Sequence, residues 1–251
     1  MPDAAPPPAA AADTAGRADK VAIVVGGGSG IGAACVREFA STGYHVVAMS
    51  PSGRARALAE SLGGAGVDGS HTRVQDLQDC VDLAMSRYGR IDAVVNSSGH
   101  AARGPLLDIT DEQWLQGADL YLLNVVRMAR IVTPCLIASG GGAIVNISTA
   151  GVFEPTPMFP VSVTMRAALA SFTKLYANEY GPRGVRMNNL LTGLTKDDPD
   201  TVPAEWTSGI PLRRAQSTAE AARFVRFLAS DESAYMTGQN LRVDGGETRS
   251  L

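Results

Sequence analysis

Residues 20–43 read KVAIVVGGGSGIGAACVREFASTG, and this stretch decides the fold. The run Lys20–Val25 is short, apolar and rich in β-branched residues, which favours a strand. A glycine cluster follows, and then Ala33, Cys35, Val36, Phe39 and Ala40 recur at helical spacing. The reading is strand, tight turn, helix. In that setting Gly26, Ser29, Gly30, Ile31 and Gly32 form a turn whose backbone can approach a pyrophosphate, with the start of the helix meeting its charge. An ordinary glycine-rich turn is the alternative, and the strand-to-helix context argues against it.

Outward from this stretch the alternation repeats. Strands are predicted at 44–50, 90–99, 141–148, 185–191 and 239–246. Helices are predicted at 54–64, 77–89, near 111–139, near 163–180 with Gly181-Pro182 as the stop, and at 218–230. Strands spaced by helices imply right-handed crossovers, hence a single-domain, Rossmann-like α/β fold with a doubly wound parallel sheet flanked by helices.

The chain has 251 residues, 45% of them hydrophobic and 19% charged, which suits one domain with a full core. Residues 19–251 are read as that domain. Residues 1–18, rich in Ala and Pro, are read as a flexible tail without the basic and apolar regions of a secretory signal. With 22 Lys and Arg against 25 Asp and Glu the net charge is −3, which argues against nucleic acid or an anionic membrane as a partner. No run approaches the roughly 18 consecutive apolar residues of a bilayer span. Cys35, Cys80 and Cys135 are widely spaced, form no CxxC pair and fit a reduced, cytoplasmic setting. Asp76, Asp79 and Asp82 share one side of a helix without a facing His or Glu, so they read as a solvated face and no metal is expected.

Dinucleotide sites usually place an Asp or Glu about 20 residues beyond the glycines, where it accepts hydrogen bonds from the adenosine ribose. Here the strand end reads Met49-Ser50-Pro51-Ser52-Gly53-Arg54-Ala55-Arg56, with no carboxylate and two arginines. An Arg–phosphate bond is charge-assisted, at roughly 1.5–3 kcal/mol, so Ser50 and Arg54 favour a 2′-phosphate and NADP(H) over NAD(H). The competing reading makes Arg54 and Arg56 a solvated helix start.

Four segments together, Gly26-x-x-x-Gly30-Ile31-Gly32, Asn96-Ser97-Ser98-Gly99, Gly142–Ser148 and Thr237–Gly246, resemble the short-chain dehydrogenase/reductase family in its roughly 250-residue branch. The resemblance runs over residues 20–247 in order. It implies that Asn96 and Gly99 line the cofactor beside the nicotinamide ribose. Two departures are visible: Val25 stands where the family commonly has Thr, and Ser70 where it commonly has the Asp that contacts the adenine.

The family resemblance also implies four chemical positions: Asn, Ser, and a Tyr-x-x-x-Lys pair in which Tyr moves the proton and Lys lowers its pKa and holds the ribose. Ala167-Ala168-Leu169 matches the usual sequel to the Lys. That register puts Arg166 at the Lys position, Ser162 at the Tyr, Thr149 at the Ser and Tyr121 at the Asn. A one-residue shift offers Ser148 in place of Thr149. None of the six tyrosines has a lysine four residues later, so no register restores the dyad. Ser162 is too short to replace a phenol, and an arginine, with a pKa above about 12, holds a fixed charge but relays no proton. Tyr121 either brings its phenol into the pocket near Arg166 or packs between the two long helices. His100 is either a solvated loop residue or a group at the substrate mouth. Thr192-Gly193 replaces the family's Pro-Gly, with Asp197 near its Thr position and Trp206 on the expected lid.

Three functions compete. The first is an NADP(H)-binding oxidoreductase with a non-standard centre, acting on a small carbonyl or alcohol, in which Tyr121, Ser148, Thr149, Ser162 and Arg166 handle the substrate oxygen. The second is a catalytically silent subunit that supports an active homologue. The third is a redox-free lyase or dehalogenase. The resemblance further implies a homo- or hetero-oligomer, a tetramer paired through the two long helices.

Overall fold

The first strand, β1 (Val21–Val25), is buried along its whole length and ends in the glycine turn from which α1 (Gly30–Ser41) starts. Its alternation serves two packed faces: Val21, Ile23 and Val25 join one core, Ala22 and Val24 the other. This computed structural model describes residues 20–250, so the Ala/Pro-rich segment read as a tail lies outside the described residues.

After α1 come β2 (His45–Ser50), α2 (Arg54–Ser61), β3 (Ala65–Asp68), α3 (Val74–Tyr88) and β4 (Ala93–Asn96). The chain continues through α4 (Asp111–Ala118), α5 (Asn124–Ala138), β5 (Gly142–Thr149), α6 (Pro160–Tyr180) and β6 (Val185–Thr192). The last part holds β7 (Thr195–Lys196), α7 (Ala204–Thr207), β8 (Gln216–Ser217), α8 (Thr218–Ala229) and β9 (Asn240–Val243). Seven strands form one sheet in the order β3-β2-β1-β4-β5-β6-β9, every neighbour parallel. Helices α3, α5 and α6 bury Leu77, Met128, Leu136 and Leu169 on one face, while α1, α2 and α8 bury Phe39, Ala55 and Leu228 on the other. This is the Rossmann-like doubly wound sheet expected from the alternation. The order reverses between β1 and β4, which opens a crevice at the carboxyl ends of the strands.

The elements depart from the sequence reading in several places, among them the start of α3 at Val74 rather than 77 and the short α7. Strand β3 was not expected, because Ala65-Gly66-Val67-Asp68 carries a single β-branched residue; its pairing with β2 in parallel register supplies what propensity does not. The minor sheet of β7 and β8, two residues each, was also not expected. Helix α6 begins at Pro160 rather than near 163, since proline suits a first helical turn. The helix expected near 111–139 is interrupted by a π turn over Asp119–Leu123, whose buried residue is Tyr121. The combined Asp111–Ala138 helix is long and apolar enough to cross a membrane by length and composition, yet Val125, Met128, Val132 and Leu136 are buried in the core.

A row of side-chain amides crosses the second half of the sheet. Asn96, Asn146, Asn189 and Asn240 occupy paired positions on β4, β5, β6 and β9. Asn96 donates to Asn146 at 2.8 Å, Asn146 to Asn189 at 2.9 Å, and Asn189 to Asn240 at 2.7 Å. Thr173 of α6 adds a bond to Asn189 Oδ1 at 3.0 Å. Asn146 sits in the middle of the row, so Asn146→Ala leaves the buried Asn96 amide without its acceptor. Urea unfolding is expected to show a loss of about 1–3 kcal/mol, and an unchanged midpoint would contradict the role given to the row.

Candidate active site

The glycine turn forms the first wall of the crevice. Gly26 has a φ of 74°, and its N–H and that of Gly27 donate to Met49 O at 2.9 and 3.1 Å. A Cβ on Gly26 would strike the Ser97 carbonyl oxygen, and one on Gly32 would strike the Gly26 carbonyl oxygen. Glycine therefore lets the turn close against both the loop after β4 and the helix behind it. Ser29 is exposed and precedes α1 in extended conformation, and its side chain makes no capping bond. The first N–H groups of α1 are thus not satisfied by a side chain. Ile31, singled out with these residues, packs half-buried against the core under α1 and α8.

The next wall, beyond β2, differs from its sequence reading. Ser50 is buried, and its hydroxyl accepts from Ala55 N at 3.1 Å, so it builds the start of α2. Arg56 pairs with Asp68 at 2.8 Å. The carboxylate missing from the β2 end is supplied by the end of β3, and Arg56 is neutralised by it. Arg54 is exposed, with only its Nε bonded, to Ser52 Oγ at 3.2 Å. Of the two arginines, Arg54 is the one whose terminal nitrogens carry no bond within the chain.

Under the crevice, Asn96 is buried in the amide row, and its Oδ1 has no hydrogen-bond partner. Gly99 is exposed, and its carbonyl accepts the Tyr121 hydroxyl at 3.1 Å. The same Tyr121 oxygen accepts from Ala101 N at 2.8 Å. Tyr121 is buried, and its hydroxyl donates once and accepts once within the loop after β4, which leaves one lone pair on the side of the Arg166 guanidinium. Its ring, however, does reach Arg166, whose guanidinium carbon lies 4.3 Å from the ring centroid.

Arg166 is the centre of the arrangement. It stands two turns into α6 and is 8% exposed. Nη1 donates to the Ile147 carbonyl, Nη2 to Ser98 Oγ at 3.3 Å and Nε to Ser162 Oγ at 3.3 Å. Burial pulls its pKa down, an effect that Tyr121 opposes. Side chains on β5 alternate, and Val145 and Ile147 belong to the core under α8, so Asn146 and Ser148 face α6. The Ser148 hydroxyl is 4% exposed and has no partner. Thr149 instead accepts from Gly151 N at 3.3 Å and caps the short turn at 150–152. The two hydroxyls left open by the sequence are thereby distinguished: Thr149 is occupied locally and Ser148 is not.

The structure thus joins Tyr121 and Ser162 to Arg166, with Ser98 and the Ile147 carbonyl as partners that sequence reasoning missed, and Ser148 follows Ile147 in the chain without a bond to any of them. Ser98 lies inside the Asn-Ser-Ser-Gly segment, which was the available signal; a backbone carbonyl leaves none. Other residues lie apart from this cluster's bonds. His100 is exposed, Asp197 accepts from Thr218 at 2.9 Å, and Trp206 on α7 is 60% exposed. Thr192 donates to the Ser148 carbonyl at 3.2 Å. Among the described residues no group of three or more His, Cys, Asp or Glu could hold a metal ion.

A doubly wound parallel sheet with a glycine turn at its topological switch, and polar groups gathered at the carboxyl ends of β4 and β5, defines the class of nucleotide-fold proteins. The family model for enoyl-(acyl carrier protein) reductases matches residues 25–248. The oxidoreductase UcpA of Salmonella typhimurium is 32% identical over 248 residues, covering 91% of this chain and 94% of the relative. Among solved structures, an NADPH-bound short chain oxidoreductase from Pseudomonas aeruginosa PAO1 containing an atypical catalytic centre superposes with a TM-score of 0.86 at 29% identity, covering 93% of this chain and 98% of that one. The L-sorbose reductase of Gluconobacter frateurii, complexed with NADPH and L-sorbose, superposes with a TM-score of 0.83 at 29% identity, covering 94% of this chain and 99% of that one. The chain belongs to the short-chain dehydrogenase/reductase family.

The double hydrogen bond of Tyr121 gives a structural test. Tyr121→Phe keeps the ring under Arg166 and removes the clamp on Gly99 and Ala101, so urea unfolding is expected to show a loss of about 1–2 kcal/mol. Tyr121→Leu also removes the ring face and is expected to lose about 1 kcal/mol more than the loss of packing alone would give. Equal stability of wild type and Tyr121→Phe would refute the clamp.

Proposed function

We propose that the chain is an NADP(H)-linked oxidoreductase with an atypical centre, acting on a small carbonyl or alcohol. The observation that carries this reading is Arg166, a buried guanidinium at the family's Lys position, gathered with Ser98, Ser162 and Tyr121 beside the partner-free Ser148 hydroxyl. The crevice fits a dinucleotide on its own geometry: a Cβ on Gly26 would fill the turn, and the start of α1 carries no side-chain cap. Arg54 would hold a 2′-phosphate, while Arg56 is engaged by Asp68. When bound, the nicotinamide would supply a hydride donor or acceptor. The NADPH in the two solved relatives, one with an atypical catalytic centre, supports the same reading.

The chain's own residues then act by charge more than by proton transfer. Ser148 donates its O–H to the substrate oxygen, and Arg166 meets the negative charge that develops there with a fixed cation. Ser162 orients Arg166 Nε. Loss of a positioned proton donor typically costs about 10²–10⁴ in rate, so slow turnover is expected beside an enzyme with the dyad. A catalytically silent subunit is the second reading, and the observation in its favour is that the Tyr121 hydroxyl is held by the backbone at both of its roles. The oligomer implied by the family resemblance would seat another subunit, identical or a paralogue, on the α5–α6 face, where a groove of about 720 Å³ is lined by Phe172, Leu175, Tyr176 and Tyr180.

Fluorescence titration with NADPH and NADH tests the reading. Tighter binding of NADPH is expected, and Arg54→Ala should weaken NADPH by about 10- to 100-fold while leaving NADH nearly unchanged. Failure of both nucleotides to bind at millimolar concentration would reject it.

A further inference from the structure

We propose that the floor of the crevice is an anion site, and that the substrate carries a carboxylate held by Arg166 with help from Ser148. This rests on, and deepens, the reading of the crevice as the substrate site: the carboxylate adjoins the reacting carbon, as in a 2-oxo or 2-hydroxy acid, so Arg166 and Ser148 meet a carboxylate oxygen together with the neighbouring reacting oxygen. The first ground is the absence of a counter-charge. The partners of Arg166 are a carbonyl, two serine hydroxyls and the ring and hydroxyl of Tyr121, all neutral, and among the described residues no carboxylate lies within ion-pairing distance of it. A buried cation without a counter-ion is unfavourable, and a bound anion removes that imbalance.

The second ground is the length of the two contacts that Arg166 makes to serine, beside its firm bond to the Ile147 carbonyl. Both serine contacts are 3.3 Å, longer than the roughly 2.7–2.9 Å of a charge-assisted bond. The third is Ser148, a buried donor with no partner, on the face of β5 that looks toward α6 and one residue beyond the carbonyl that anchors Arg166. The surroundings agree in sign. Residues 97–107 contain no acidic side chain, and Arg103 is exposed with its guanidinium 4.4 Å from the ring of Phe159, the residue before α6. Glu154, the acid on the loop after β5, is bound by the N–H groups of Arg249 and Ser250. A planar carboxylate matches the guanidinium fork, and its second oxygen is within the chemistry of the Ser148 O–H.

The full chain without nucleotide is titrated with sodium formate and sodium acetate, with acetamide as the neutral match and ionic strength held by a bulky sulfonate buffer. Thermal shift is the readout. Saturable stabilisation by formate and acetate, and none by acetamide, is expected. Arg166→Lys keeps the charge but not the fork and should raise the formate dissociation constant by about tenfold, and Ser148→Ala, which leaves Arg166 in place, by about threefold or more. No saturable response in the wild type, or an unchanged constant in Arg166→Lys, overturns the site. NADPH titration in parallel separates the two readings: protein that binds NADPH but not formate overturns the anion site alone, whereas protein that binds formate but neither nucleotide supports the anion site and overturns the redox reading.

Discussion

The row of amides from Asn96 to Asn240 fixes where four strands end. Parallel pairing alone leaves neighbouring strands free to slide by one pleat at some cost. A polar side chain buried on each of four strands, each needing the next, makes such a slip strand an amide in the core. The loop after β4 and the end of β5 therefore emerge at the same height. Arg166 can bond Ser98 and the Ile147 carbonyl at once only because those two points are level.

Arg166 in turn explains Tyr121. A guanidinium taken out of water needs acceptors for its edge and an electron-rich surface for its face. The π turn places an aromatic ring where an uninterrupted helix would turn another residue inward, and the Tyr121 hydroxyl then reaches over to Gly99 and Ala101. One residue thus serves the cation with its ring and the loop after β4 with its oxygen. Both of the alternatives left open by the sequence bear on this: the side chain is buried with its ring on Arg166 of α6, and its hydroxyl, tied to the loop after β4, stands beside the guanidinium.

What the sequence disclosed follows from which forces are local. The alternation of apolar runs and helical periodicity gave the fold, because burial on two faces of a parallel sheet writes itself into every strand. β3 escaped, since Gly66 interrupts it, Gly64 precedes it, and its strand state comes from β2 beside it. Two of the residues singled out in the sequence, Ser162 and Tyr121, do touch Arg166, but their bonds were not legible. Whether Ser148 or Thr149 is unoccupied depends on one backbone N–H at Gly151, and whether Arg56 is available depends on Asp68, twelve residues on and one strand over. Contacts of that kind have no signature along the chain.

The π turn at Asp119–Leu123 has a consequence for how this helix can change. A π turn holds one residue more than an α turn, and each residue advances a helix by about 100°. The faces of α4 and α5 are therefore out of phase with each other: Gly117 lies against Val161 of α6, while Val125, Met128 and Val132 lie on the sheet. A deletion of one residue in this turn would restore a regular helix and improve its internal hydrogen bonding, yet it would rotate everything before it away from α6. The number of residues in this turn, as much as their identity, sets which side chains meet α6.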